Sequence, residues 1–183
     1  MKLTGYNLSL ESLAAIVSGQ EKVSLASKAR QRMEESRAIV IDALDREEAI
    51  YGLNTGVGKN KDLRISREEI EAFNKQLIYA HCVGIEPELS IEEVRASMLL
   101  RLNGLIKGYA GCQPAIADLL VQFLNLQITP VVNGKGSVGE GDIGILSYIG
   151  LALMGEGWID YQGQRYAAAE IFAYWDSPRP LKI

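Results

Sequence analysis

Histidine and cysteine are nearly missing from this chain: 183 residues hold one histidine, His81, and two cysteines, Cys82 and Cys112. Two thiols do not make a disulfide framework in a chain of this size. One imidazole without C-x-x-C spacing gives no zinc cluster, so no metal is expected. Long apolar runs are lacking too. The longest, Ile143 to Met154, is too short to span a bilayer and is bounded by Gly155-Glu156-Gly157. The first residues, Met1-Lys2-Leu3-Thr4-Gly5, lack the apolar core of a signal peptide. Charge of one sign is scarce: 19 basic and 23 acidic residues are interspersed, for a net −4. That leaves no electrostatic footprint for nucleic acid or anionic lipid. A soluble, cytoplasmic protein with neither nucleic acid nor membrane as partner is the expectation.

What is present is a core and a helical period. Hydrophobic residues make up 48% of the chain, and its length suits a single domain, residues 1–183. Ser9 caps a short helix reaching about Val17 and stopped by Gly19. From Ser24 to Glu48, Leu25, Ala29, Met33, Val40 and Leu44 form a buried stripe. Ser66-Arg67-Glu68-Glu69 and Ser90-Ile91-Glu92-Glu93 read as capping boxes. They open helices carrying Ile70, Phe73 and Leu77, then Val94, Met98, Leu102 and Leu105. Pro114 opens a helix ending near Asn125, and the last helix runs from about Asp142 to Met154. Trp158–Tyr161 and Gln164–Tyr166 fold into a hairpin about Gly163. Glycine-rich loops occupy 51–61 and 133–141. The chain stops at Pro178-Arg179-Pro180-Leu181-Lys182-Ile183, an extended ending that looks cut.

Two phosphate-loop patterns fail on physical grounds. Gly52 to Gly58 leaves five residues between glycines where a Walker loop needs four, and Asn60, not Ser or Thr, follows Lys59. Gly134-Lys135-Gly136-Ser137-Val138-Gly139 fits G-x-G-x-x-G. Glu140 and Asp142 would then repel a pyrophosphate at the helix N-terminus. Pro130 would also interrupt a strand that must be central.

Four ordered motifs carry a different likeness. Tyr51-Gly52-Leu53-Asn54-Thr55-Gly56-Val57-Gly58, Ala80-His81-Cys82-Val83-Gly84, Arg101–Gly111 and Gly136-Ser137-Val138-Gly139 with Asp142 resemble signatures of the histidine and aromatic amino-acid ammonia-lyases. The likeness runs from about residue 4 to the end. It implies a mainly α fold, the N-terminal domain of the ammonia-lyase-like fold with small β-hairpins and glycine-rich loops. The family continues into a long helical region that supplies its tetramer core, and this chain ends just before it.

The resemblance makes Tyr51 a general base for C–H proton removal, work a phenol on a glycine-rich loop suits chemically. On the residues alone, a turn tyrosine packing on the core is the alternative. By the same likeness His81 lies near the substrate; without it, a helix-end histidine is the simpler reading. Asn54, Thr55 and Gly56 bind substrate or shape the turn that presents Tyr51. Lys59 and Lys61 read as solvated loop charges.

The family's electrophile, 4-methylidene-imidazol-5-one, forms from Ala-Ser-Gly. Here the electrophile-loop positions Gly139, Glu140, Gly141 and Asp142 contain no serine. Ser137 is followed by Val138 where the cyclising tripeptide needs glycine. No prosthetic group or other cofactor is therefore expected. Without an electrophile, ammonia is too poor a leaving group for easy elimination. A quaternary amine departs neutral and needs no covalent activation, so a betaine such as ergothioneine is a fitting substrate. Glu140 would then face its trimethylammonium group, or serve merely as an acid at a helix N-terminus; Asp142 reads as that helix's cap. The leading expectation is thus a subunit of a C–N lyase working by α,β-elimination, with a second polypeptide supplying the helical core of a hetero-oligomer. One alternative is a non-catalytic regulatory or binding subunit. Another is an ammonia-lyase for histidine or tyrosine completed by its partner chain. The intact mass should equal that of the unmodified sequence; a deficit of two waters would show that the ring forms after all.

Overall fold

Apolar side chains spaced three and four residues apart give this chain its helices. The computed structural model describes residues 1–137 and 143–174. Among them are seven α-helices: α1 (Leu10–Val17), α2 (Ser27–Asp45), α3 (Ile70–His81), α4 (Ile91–Leu105), α5 (Pro114–Leu126), α6 (Gly144–Leu153) and α7 (Ala168–Tyr174). Short strands join them: β1 (Lys2–Leu3), β2 (Ser24–Leu25), β3 (Ile85–Glu88), β4 (Thr129–Pro130), β5 (Asn133–Lys135), β6 (Trp158–Tyr161) and β7 (Gln164–Ala167). The mainly helical class is as expected. No helix among the described residues is long and apolar enough to cross a membrane.

Capping residues set several boundaries where the sequence places them. Ser9 accepts the Ser12 N–H at the start of α1. At Ser90 the capping box is complete: its hydroxyl takes the Glu93 N–H, and the Glu93 side chain returns to the Ser90 N–H. Pro114 opens α5. At Ser66 only half of the box forms. Glu69 accepts from the Ser66 N–H and hydroxyl, but the helix begins at Ile70, with no side-chain cap on Glu69. Ser24 and Leu25 are a strand instead of a helix start, because the Ser24 and Ala26 N–H groups bond to Met1 and Leu3 carbonyls. In α2 the buried residues are Ala29, Met33 and Ala43, whereas Leu25, Val40 and Leu44 are only half-buried. α6 begins at Gly144, and it is not the last helix: α7 follows the hairpin. β6 and β7 pair antiparallel as expected, with β4 added on the outer side of β6.

α4 is the central element. Val94, Met98, Leu102 and Leu105 are buried, as their spacing requires, and Arg95 and Leu99 widen the buried face. The core around it includes Leu3, Ile16, Met33, Phe123 and Ile159. Arg95 is 2% exposed. Its Nε donates to the Val17 carbonyl at 2.7 Å, and Nη2 donates to Ile16 and Leu124 carbonyls, each at 3.0 Å. These carbonyls lie at the C-terminal ends of α1 and α5, where helix partial charge is negative; those of Ile16 and Leu124 also accept the Gly19 and Gln127 N–H groups. Burial pushes the guanidinium pKa down, and nearby Glu92 opposes the shift; the group stays charged. Arg95→Ala should lower unfolding free energy by about 3 kcal/mol, since two buried carbonyls and one part-buried carbonyl lose a charged donor. Urea denaturation reads this as a lower midpoint with an unchanged slope.

Candidate active site

Tyr51 stands on a loop that its neighbours stitch from within. Asn54 and Thr55 are buried, at 7% and 5% exposure. Asn54 Oδ1 accepts the Ile50 N–H at 2.7 Å, and Nδ2 donates to the Glu48 carbonyl at 2.7 Å. Thr55 Oγ1 accepts the Gly52 N–H and donates to the Gly56 carbonyl. Gly56 bonds through its N–H to Leu63. Its lack of a side chain is required, because a Cβ there would stand 2.3 Å from the Asn60 oxygen. The product of this stitching is a Tyr51 side chain 65% exposed, its phenolic oxygen accepting the Gly58 N–H at 3.0 Å. Lys59 and Lys61 are exposed. A cleft of about 650 Å³ beside the loop is lined by residues including Leu44, Asn54, Arg64 and Ile70.

His81 is the last residue of α3. Its Nδ1 lies 2.6 Å from the Leu77 carbonyl. A carbonyl only accepts, so Nδ1 carries the proton and Nε2 is the ring's remaining working atom. The helix behind it is anchored by an acid. Glu156 accepts the Tyr79 hydroxyl at 2.6 and 2.7 Å and pairs with Lys75 at 2.8 Å. Lys75, and then Tyr79, hold the Glu156 carboxyl below the ordinary range. Cys82, next to His81, has its thiol pushed up by burial, which disfavours a thiolate nucleophile there.

The segment after His81 touches both flanks of residues 138–142. On the incoming side, β5 pairs antiparallel with β3, and Asn133 Nδ2 donates to the Gly84 carbonyl at 2.8 Å. On the outgoing side, Tyr148 of α6 donates its hydroxyl to the same carbonyl at 3.2 Å. Asn133 Nδ2 also donates to the Tyr148 oxygen at 3.3 Å. The backbones meet as closely as glycine permits: a Cβ on Gly84 would lie 2.9 Å from Asn133 Cβ, and one on Gly136 would lie 3.1 Å from Gly84 Cα. Gly144, at the start of α6, faces the His81 carbonyl. Asn133 and Tyr148 also line a cleft of about 380 Å³ with Val131, Trp158 and Arg165. Sequence reasoning missed both residues. Gly139, Glu140, Gly141 and Asp142 lie outside the described residues.

The sequence profile of aromatic amino acid lyases matches residues 8–179. The chain belongs to this family. Over 182 residues it is 37% identical to histidine ammonia-lyase of Geobacillus thermodenitrificans, a match covering 99% of this chain and 36% of that protein. Among solved structures, the ergothioneine-degrading enzyme ergothionase of Treponema denticola, in complex with desmethyl-ergothioneine sulfonic acid, superposes with a TM-score of 0.95. That match is 34% identical and covers 100% of this chain and 36% of that one. Tyrosine aminomutase of Streptomyces globisporus gives a TM-score of 0.92 at 27% identity, over 100% of this chain and 34% of the other. The chain thus spans about a third of the length of the relatives it matches.

The Glu156 anchor has a pH signature. A carboxyl whose folded pKa is depressed contributes stability above its unfolded value, and that contribution is lost as pH falls through the folded value. Thermal midpoints should therefore fall below about pH 4.3, the ordinary glutamate value, and Glu156→Gln should flatten that limb. An unchanged profile in the variant would remove Glu156 as its source.

Proposed function

We propose that residues 1–183 are the N-terminal portion, a single domain, of a cytoplasmic C–N lyase that eliminates a tertiary amine from a betaine without an electrophilic prosthetic group. What carries this reading is a retained Tyr51 motif in a chain whose stretch Val138-Gly139-Glu140-Gly141-Asp142 contains no serine. A methylidene group has no source there, so the residues present do not fit the family's ring. The superposition on an enzyme that degrades ergothioneine supports a quaternary-amine substrate of the histidine-betaine type.

In this reading the phenolate of Tyr51 takes the proton from the carbon next to the C–N carbon. The C–H electron pair becomes the new C=C bond, the C–N bond breaks toward nitrogen, and trimethylamine leaves neutral. The Gly58 N–H donated to the phenolic oxygen meets the charge that oxygen carries as a base. Asn54, Thr55 and Gly56 serve by holding the Tyr51 loop, His81 offers Nε2 to the substrate, and Glu140 receives the cationic trimethylammonium. A second polypeptide supplies the helical core in a hetero-oligomer, in keeping with relatives about three times as long.

The test is to present the assembled enzyme with histidine, tyrosine, phenylalanine and histidine betaines, following the absorbance of the conjugated acrylate. Turnover should be confined to the betaines, with release of trimethylamine. Tyr51→Phe should lower kcat at least about a hundredfold, and Glu140→Gln should raise KM. Ammonia release from histidine or tyrosine would instead favour a conventional lyase. No turnover of any of these would favour a binding or regulatory subunit.

A further inference from the structure

The Gly84 carbonyl lies at a junction that neither the Tyr51 loop nor His81 itself explains. It accepts one donor from each flank of residues 138–142: Asn133 from β5 at 2.8 Å and the Tyr148 hydroxyl from α6 at 3.2 Å. The two donors are themselves bonded at 3.3 Å, which closes a three-membered, part-buried network. A single amide carbonyl has two lone pairs, and the two donors that use them come from β5 and α6. The carbonyl sits three residues beyond His81 on the segment leaving α3, so whatever holds it holds the end of that helix.

We propose that Asn133 and Tyr148 are positioning residues that fix the His81–Gly84 segment against both flanks of the acidic stretch. The proposal rests on the amine-elimination reading for its catalytic consequence, though not for the clamp. Neither side chain is needed to fill the main core. Tyr148 is half-buried at the edge of it, and Asn133 is half-buried on a short strand. What each contributes is a hydrogen to one particular oxygen. Loss of either donor leaves that carbonyl under-satisfied and frees one flank to shift relative to His81. Shifts of about 1 Å in reacting groups cost about a hundredfold in rate.

Tyr148→Phe removes the hydroxyl and keeps the ring. Asn133→Asp keeps the shape and turns the donor into an acceptor that repels the carbonyl. In the assembled enzyme each should lower kcat by about tenfold to a hundredfold while KM changes by less than about threefold. Hydrogen exchange should quicken by about fivefold or more in β3, β5 and the first turn of α6, which includes the Ser147 N–H, while α4 stays protected. Unchanged exchange at these strands and that turn would overturn the clamp whatever the activity. Faster exchange with unchanged kcat would overturn its catalytic part, as would a kcat loss that disappears when the variant is assayed well below its own thermal midpoint. A wild-type assembly that releases no trimethylamine would sink the functional reading and leave exchange to decide the clamp.

Discussion

A guanidinium buried among helix ends sets the frame for everything else. Arg95 projects from the middle of the core and bonds to carbonyls at the C-terminal ends of α1 and α5. Three helices therefore share one cation. Its desolvation is unfavourable, and acceptors of negative partial charge offset that cost only when both helix ends are in place. The arrangement ties the packing of α1 and α5 to one point on α4, since the same guanidinium reaches carbonyls of both. α5 leads directly into β4 and β5. The direction in which the chain leaves the core toward residues 138–142 is thus inherited from this junction.

From that frame the candidate site is built in two pieces by different means. The Tyr51 loop is organised locally, by side chains bonding to backbone a few residues away, which frees the phenol to stand in solvent. The His81 segment is organised at long range, by partners from β5, α6 and the residues just past α6. One piece is a self-contained turn with an exposed phenol. The other is a helix end held from outside, and α3 itself has no fully buried residue.

This difference decides what could be read from the sequence. The Ser90 capping box, Pro114 at a helix start, the α4 stripe and the hairpin about Gly163 are local patterns, and all were legible. The half-formed box at Ser66 shows the limit. Its reciprocal bond exists, yet the helix begins later, because the loop carrying Arg64 and Ile65 remains bonded to Thr55 and Asn54. Strands of two residues, such as β1 and β2, are too short to show alternation. β3 is exposed throughout and so has no buried face to announce it. α7 is short and opens without a cap signal in its sequence. Tyr51 and His81 were visible through motifs. Asn133 and Tyr148 were not, since they reach Gly84 across separations of 49 and 64 residues, and no local spacing encodes that.

The approach of Gly84 to Asn133 and Gly136 has a consequence for how this region can vary. Two stretches of backbone lie so near each other that a methyl group on either glycine would meet the other strand. A side chain at Gly84 would force Asn133 to shift, one at Gly136 would press on Gly84 from a strained positive φ, and removing bulk at Asn133 would relieve only one side of the contact. Drift at one strand is therefore barred by the other, and a route to any new residue there passes through a backbone change that moves the His81 segment as well. Variation in this region is channelled away from the contact and into the five residues between the flanks, which include Glu140 and Asp142.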